Sequence, residues 1–360
     1  MAVGDILIHT TVREAASQEG GAFDFSPFFE YVDPILSQGD LVFGNLENPV
    51  AGADRGFSGY PAFNAPDELV DSLKKSGFTT LSVANNHSLD RGWKGLASTL
   101  EILSRYSLDY SGAYLSEDDK AQRLYSIYNG VGIAVLAYTY GLNGPVKPPI
   151  DDPYRLQFID AEQIFQDIAF ARDNGADFVI VSLHYGDEYK RLPNAAQKKL
   201  VNALFQGAPD TQNTRADLIL GHHPHVVEPF AALKDGLVLQ PLSIDNLEVS
   251  AEQAVMFSLG NFLSGQTKAY THLGLIFDCL LTVHPDGEKT ISDVRLIPTY
   301  CYSSYREGKR YIRVLPLALA VEDPQKFGLT ESEHSAMTTQ LEELSNHLTS
   351  MGQEQLLAGK

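Results

Sequence analysis

Short apolar runs that end in acidic, amide or imidazole side chains recur along this chain, and they constrain its fold more than any other feature. The runs are nearly continuous in apolar residues, which is typical of strands covered on both faces of a sheet. They predict strands over 2–9, 40–47, 79–87, 131–139, 177–186, 217–225 and 254–262.

Helical periodicity lies between several of these runs, at 65–76, 92–106, 161–174 and 194–205. Alternating strands and helices indicate a layered α/β fold. Two later apolar runs, joined at His284-Pro285-Asp286-Gly287, predict an antiparallel pair. The tail from Thr330 opens with the capping pattern Thr-Glu-Ser-Glu and keeps a helical period to about Leu357.

Charge and composition narrow the function of this 360-residue chain. Its net charge of −19 disfavours nucleic-acid binding, which needs Lys and Arg to neutralise phosphates. We expect no nucleic-acid partner. No run of 18 apolar residues and no leader pattern is present, and the chain starts almost inside a strand, which favours a removed leader or anchor. Cys279 and Cys301 could form a disulfide or remain buried thiols, so they do not fix the compartment.

Polar residues at the ends of the predicted strands point to a metal site. Ligands of open α/β sheets bind at the carboxyl ends of the strands. The residues found there are Asp5, His9, Asn45, Glu47, Asn85, Asn86, His87, His184, His222, His223, His225 and Asn261. Carboxylate and imidazole together suit Zn, Mn or Fe rather than Ca, and the set is too large for a single tetrahedral ion. We therefore expect one or two divalent ions.

The ordered set GDILIH, GNLE, NNHSLDRG, SLHYGDEY, GHHPHV and SLGNF resembles the CapA family of capsule and poly-γ-glutamate synthesis proteins, over about residues 2–311. That family resembles the calcineurin-like metallophosphoesterases. The resemblance implies a four-layer α/β sandwich of metallophosphoesterase type with a C-terminal helical addition. We take residues 1–320 as this domain and 321–360 as the helical extension.

The resemblance also implies roles for individual residues. Asp5 and His225 would hold a first metal, with Glu47 at the bridging position. Asn86, His184 and His223 would hold a second metal, and His87 would be the acid that protonates the leaving oxygen. The remaining candidates, as metal ligands or as supports for them, are His9, Asn45, His222, Glu188 and Asn261.

Two departures from the metallophosphoesterase pattern weaken the expectation of hydrolysis. Leu7 stands where the first motif would carry a histidine, so His9 would have to substitute or the first metal would be weakly held. The pair Asn45 and Glu47 stands in place of the bridging Asp.

Arg306, Lys309 and Arg310 form a cationic cluster in a Tyr-rich segment of this acidic chain. They could line a groove for an anionic substrate, or they could belong to a solvated turn. We expect their neutralisation to weaken polyanion binding if they line the groove.

Three functions follow from these patterns. The first is a capsule or poly-γ-glutamate biosynthesis protein that hydrolyses a phosphoester. It would act on an anionic polymer or phosphoester, at the extracellular face of the cell envelope and in a membrane capsule-synthesis complex; a cytoplasmic location stays open. The second is a phosphodiesterase or nucleotidase unrelated to capsule. The third is a non-catalytic polyanion-binding protein, which Leu7 favours.

Overall fold

Strands and helices alternate through most of the chain, which is described by a computed structural model over residues 1–144, 152–209, 211–235, 237–239, 250–306 and 308–349. The strands are β1 Ala2–Ile6, β2 Phe43–Leu46, β3 Thr80–Ser82, β4 Asp109–Ser111, β5 Ser126–Tyr128, β6 Val131–Thr139, β7 Phe178–His184, β8 Leu218–His222, β9 Phe230–Lys234, β10 Leu237–Leu239, β11 Gln253–Met256, β12 Asn261–Leu263, β13 Leu273–Val283, β14 Lys289–Arg306 and β15 Lys309–Pro316. The α-helices are α1 Thr10–Ala16, α2 Ser26–Phe29, α3 Asp33–Leu36, α4 Glu68–Lys75, α5 Gly92–Arg105, α6 Glu117–Gln122, α7 Ala161–Asp173, α8 Ala195–Gln206, α9 Leu317–Glu322 and α10 Glu331–Thr349.

The strands form two mixed sheets. The first has the order β15-β14-β13-β1-β2-β3-β4, with β12 also paired to β1. The second has the order β10-β9-β11-β8-β7-β6-β5. Strands β1 to β4 run parallel to one another in the first sheet, and β6, β7, β8 and β11 run parallel to one another in the second. Each parallel set brings its carboxyl ends to one edge.

The two sheets pack face to face, and helices cover their outer faces. The core between the sheets joins Phe43 and Phe277 of the first to Leu220, Phe230 and Met256 of the second. Helices α1, α2, α4 and α5 pack on the outer face of the first sheet, and α7 and α8 pack on the second. This arrangement confirms the predicted four-layer α/β sandwich.

The seventh predicted strand, 254–262, is wrong as a single element. It divides into β11, in the second sheet, and β12, which pairs with β1 in the first sheet. Gly260 adopts the left-handed φ of +68° that lets the chain turn between the sheets. Its carbonyl accepts a hydrogen bond from the backbone of Asp5 at 2.9 Å, so the crossing is tied directly to the end of β1.

The C-terminal helical addition is confirmed as helix α10. Thr330 and Glu333 form the predicted cap: the Thr330 backbone donates to the Glu333 carboxylate at 2.8 Å, and the Glu333 backbone donates to the Thr330 hydroxyl at 3.3 Å. Met337 and Leu344 of α10 are buried against the strands. The domain boundary at 320 falls within α9, and the division into two domains stays a prediction. Residues 350–357 of the predicted tail helix lie outside the described residues.

Cys279 and Cys301 are free thiols, which settles the open alternative between a disulfide and free cysteines. Among the described helices, none is long and apolar enough to cross a membrane.

Candidate metal centre

The carboxyl ends of β1, β2, β7 and β8 meet across the two sheets and form a buried acid–histidine cluster. Its members are Asp5, Asn45, Glu47, Asn86, His184, His222, His223 and His225. Each comes from a strand end or from the turn that follows one. The structure thus brings together, at one edge, side chains that the sequence pattern placed at strand ends, and their roles stay proposals.

Asp5, near the end of β1, is already surrounded by donors. Its Oδ1 accepts a hydrogen bond from the Asn45 side-chain amide at 2.8 Å. Its Oδ2 lies 3.2 Å from the backbone nitrogen of His223 and 3.1 Å from Nδ1 of His225. Asp5 thus joins the first sheet to the histidine-rich turn of the second.

Glu47 lies at the centre of the cluster. Its Oε1 is 3.5 Å from Nε2 of His184 and 3.7 Å from Nε2 of His225. That oxygen is buried and has no hydrogen-bond partner among the described residues. Glu47 belongs to two groups of residues whose ligand-type atoms lie within 4.8 Å of one another. One group contains Glu47, Asp5 and His184, and the other contains Glu47, His223 and His225.

The turn that follows β8 positions two histidines through an unusual backbone. His223 has φ of +95° and His225 has φ of +58°, a region that costs non-glycine residues about 1–3 kcal/mol. The intervening Pro224 accepts a hydrogen bond at its carbonyl from the Tyr189 backbone at 2.8 Å. Backbone strain held by surrounding contacts is typical of functional sites.

His87 lies in the turn after β3, which Asn85 organises. The Asn85 side chain accepts from the His87 backbone at 3.1 Å and donates to the Leu46 carbonyl at 2.9 Å. Nδ1 of His87 is 2.8 Å from a carboxylate oxygen of Asp90, and Nε2 is 3.2 Å from the amide nitrogen of Asn143. Asn85 therefore builds the turn, while Asp90 and Asn143 hold the imidazole of His87.

Burial sets the charge states of the cluster. Burial, reinforced by the charges of Asp5 and Glu188, raises the pKa of Glu47 well above its ordinary value. Burial and the neighbouring histidines lower the pKa of His184 well below its usual range and that of His223 to about 4. Burial also opposes ionisation of Asp5, but its contacts with His222 and His225 outweigh this and hold its pKa well below the ordinary value.

These charge states and unpartnered atoms fit a divalent cation. Metal ligands must be neutral imidazoles or ionised carboxylates, and burial already holds His184 and His223 neutral. Within the described residues, Glu47 Oε1 and Nδ1 of His223 lack a hydrogen-bond partner although both are buried. A cation would supply the missing partner and favour ionisation of Glu47.

The other residues considered as ligands or supports lie around the cluster. Nδ1 of His222 is 3.3 Å from Asp5 Oδ1 without hydrogen-bond alignment, and Asn261 Oδ1 is 3.2 Å from Nδ1 of His225. His9 accepts a hydrogen bond from the Gly265 backbone and packs edge-on against Phe63; it is outside both ligand groups. Glu188 is exposed beside the cluster. Leu7 is buried.

The cationic cluster Arg306, Lys309 and Arg310 lies on the β14–β15 hairpin. Arg306 donates to the carbonyls of Phe327 and Gly328, and Arg310 donates to Ser303 and Tyr305. None of these partners belongs to the acid–histidine cluster. A substrate-binding role for the three cations stays a prediction.

Sequence reasoning missed Tyr140 and Asn143. Tyr140 is half exposed, and its ring lies 4.7 Å from that of His223 and stacks parallel to His184 at 6.2 Å. Asn143 binds the Asn86 carbonyl through its backbone and approaches His87 through its side chain. Both follow β6, so the strand-end signal used for the other residues could have found them.

The fold and the site together define the class of this protein: a four-layer α/β protein whose strand ends carry a candidate metal centre. The chain belongs to the family described as bacterial capsule synthesis protein PGA_cap, whose family model matches residues 1–266.

Two curated relatives are similar over about the same part of the chain. A capsule biosynthesis protein CapA of Bacillus anthracis is 31% identical over 273 residues, covering 73% of this chain and 59% of the relative. A PGA biosynthesis protein CapA of Bacillus subtilis (strain 168) is 34% identical over 271 residues, covering 73% and 62%. The matched region thus spans about three fifths of each relative's length.

Among solved structures, the calcineurin-like phosphoesterase YfkN from Bacillus subtilis is 14% identical, with a TM-score of 0.42. The match covers 82% of this chain and 89% of that one.

Proposed function

We propose that this chain acts in capsule biosynthesis at the cell envelope, where it holds one or two divalent ions and hydrolyses a phosphoester. The position of Glu47 carries the proposal. This buried carboxylate has an oxygen with no hydrogen-bond partner in the described part of the chain, and it belongs to both groups of ligand-type atoms. By these groups, Asp5 and His184 would complete one ion's ligands, and His223 and His225 the other's. The sequence-based expectation differed, since it placed His225 with Asp5, and His223 with Asn86 and His184.

Mn, Zn or Fe suits this mixture of carboxylate, amide and imidazole. Such ions polarise phosphoryl oxygens and lower the pKa of water. The protein's own residues would then position the substrate and move protons. His87, held by Asp90 through Nδ1, would donate a proton from Nε2 to the leaving oxygen. The substrate of this hydrolysis would be a phosphoester, an anionic polymer such as poly-γ-glutamate would be a ligand, and the chain would work within a membrane capsule-synthesis complex.

Metal content tests the site directly. Purified wild type and the His223→Ala/His225→Ala double variant would be reconstituted with Mn²⁺ or Zn²⁺ and measured by inductively coupled plasma mass spectrometry. We expect one or two ions per wild-type chain and a loss in the double variant. Wild type that retains no ion after reconstitution would contradict the proposed site.

Turnover of a dinucleotide phosphodiester, whose leaving alcohol needs protonation, by metal-loaded wild type and His87→Ala tests the reaction. We expect hydrolysis by wild type and a loss of at least about 100-fold in the variant, because general acids typically contribute 10²–10⁴-fold. Metal content of the variant should match wild type.

A second candidate is a non-catalytic polyanion-binding protein. The environment of Asp5 favours it, because hydrogen bonds from Asn45 and the His223 backbone already engage both of its oxygens. In that case His87→Ala would leave the cellular function intact, whereas hydrolysis requires His87.

A further inference from the structure

An anionic substrate meets an electrostatic difficulty at this site. The chain carries a net charge of −19, and Asp5, Glu47 and Glu188 place carboxyl groups in or beside the cluster. The hairpin cation Arg306 is already bonded to the carbonyls of Phe327 and Gly328. A cation at the rim of the cluster itself would offset the local repulsion more effectively.

The segment after β12 forms one wall of the cluster. Asn261 fixes this segment at two points, donating to the side chain of Gln266 at 2.9 Å and to the carbonyl of Thr271 at 2.7 Å. The side-chain oxygen Oδ1 of Asn261 also lies 3.2 Å from Nδ1 of His225. The residues between Gln266 and Thr271 are therefore held at a defined position beside the histidines.

Lys268 lies at the start of the turn in this segment. The Thr271 hydroxyl and backbone nitrogen both donate to the Lys268 carbonyl, at 2.8 and 3.2 Å, which fixes its backbone. Its ammonium is 3.6 Å from the centre of the Tyr189 ring, a cation–π contact. The Tyr189 ring lies 6.0 Å from that of His225, and its hydroxyl accepts from Gln266 at 3.4 Å.

A second contact of the same kind reinforces this wall. The guanidinium of Arg191 lies 4.2 Å from the centre of the Tyr270 ring. The two loops that carry Tyr189 and Lys268 are thus joined twice, which limits the positions available to the Lys268 ammonium.

The Lys268 side chain is exposed, and its ammonium makes no hydrogen bond or ion pair with any described residue. Its N–H donors are therefore available to a ligand, while the aromatic face below holds the charge in place. Glu188, the residue before Tyr189, is exposed, and its carboxylate repels anions on its side of the cluster. Lys268 itself follows the residues that the family model matches, 1–266.

We propose that Lys268, supported by the ring of Tyr189, recognises the oxyanion of the substrate beside the acid–histidine cluster. The inference rests on the proposed function and deepens it by naming the substrate class: a molecule with a carboxylate or phosphate group next to the position of reaction. Lys268 supplies a charge-assisted hydrogen bond to that group. Lys268 is a specificity determinant and transfers no proton.

Calorimetric titration of the full-length, Mn²⁺-loaded chain tests this role. The two probes are inorganic phosphate and γ-linked triglutamate, which separate phosphate from carboxylate recognition. The variants are Lys268→Gln, Lys268→Arg and Tyr189→Leu. Lys199→Gln, an exposed lysine on α8, is the matched control for loss of one positive charge. Metal content and circular dichroism are measured for each.

We expect Lys268→Gln to weaken binding of at least one probe about tenfold or more, as loss of a charge-assisted hydrogen bond does. Lys268→Arg should retain affinity to within about threefold, because guanidinium also packs on aromatic faces. Tyr189→Leu should weaken binding while keeping the fold, and Lys199→Gln should match wild type. The probe that responds identifies phosphate or carboxylate as the group recognised.

Unchanged affinity of Lys268→Gln for both probes, or wild type that binds neither probe, would overturn the role of Lys268. The metal measurement separates this from the proposed function. Affinity that depends on Lys268 in a protein that takes up no metal would support the oxyanion site and contradict the metal centre. Normal metal content with no effect of Lys268→Gln would support the metal centre and contradict the oxyanion site.

Discussion

A single carboxylate oxygen of Asp90 lies 2.8 Å from Nδ1 of His87, and both side chains are almost completely buried. The same oxygen accepts the backbone N–H of Phe63 at 2.7 Å. Asp90 thus orients the imidazole of His87 and fixes the loop that carries Phe63. The Phe63 ring packs edge-on against the imidazole, with the ring centres 4.7 Å apart.

Asp90→Asn keeps an acceptor oxygen for both bonds but removes the negative charge. We expect turnover of the phosphodiester to fall about 10- to 100-fold, because the amide would hold the imidazole of His87 without the charge-assisted hydrogen bond that the carboxylate supplies. Unchanged turnover, in a variant with normal metal content, would show that Asp90 does not position His87 for the reaction.

Glu47→Gln should separate the stability of the metal-free protein from metal binding. Burial raises the pKa of Glu47, so at neutral pH the carboxyl opposes folding in the absence of a cation, and the neutral amide removes this penalty. We expect the melting temperature in EDTA to rise by a few degrees. The increase that Mn²⁺ produces in wild type should disappear. A variant that Mn²⁺ stabilises as much as wild type would show that Glu47 is not a ligand.

Much of this site could be predicted from strand-end residues alone. Asp5, Glu47, His184 and His225 each follow a recognisable apolar run, and parallel strands bring such residues to one edge. Asn143 follows β6 in the same way, but only the fold shows that its side-chain amide lies beside His87. The local sequence pattern does not show which loops meet across the two sheets.

The course of residues 254–262 could not be predicted for a related reason. Their apolar pattern is continuous, and period alone does not show that a left-handed Gly260 moves the chain from one sheet to the other. The contact of Lys268 with Tyr189 was equally hidden, because the two residues are distant in sequence and Lys268 lies outside the recognised motifs.

Gly221→Ala should disrupt the base of the histidine-rich turn. A Cβ at this position would lie 1.7 Å from the carbonyl oxygen of Phe257, a contact that only a backbone shift between β8 and the segment after β11 can relieve. We expect a loss of several kcal/mol, about 2–5, in the free energy of unfolding, with reduced metal affinity. Chemical denaturation gives the first quantity and competition with a chelator the second. Wild-type values for both would mean that the strands separate without cost.

Glu228→Gln should change how stability depends on pH. Glu228 is buried, its Oε2 accepts from Gln197 at 2.7 Å, and its Oε1 has no partner in the described part of the chain. Burial raises the pKa of its carboxyl to about 8. An unfolded glutamate ionises near its ordinary pKa of about 4.3. Folding therefore retains a proton that the unfolded chain releases, and wild-type stability should fall between about pH 4.5 and pH 8.

The glutamine variant removes this dependence because it has no proton to retain, and its carbonyl can still accept from Gln197. In EDTA, we expect equal stability of variant and wild type near pH 4.5. At pH 8 the variant should be more stable by roughly a few kcal/mol. Glu101→Gln, at an exposed position of α5, controls for the loss of one negative charge and should show no such pH-dependent difference. Parallel stability curves for Glu228→Gln and wild type would mean that Glu228 is ionised in the folded protein.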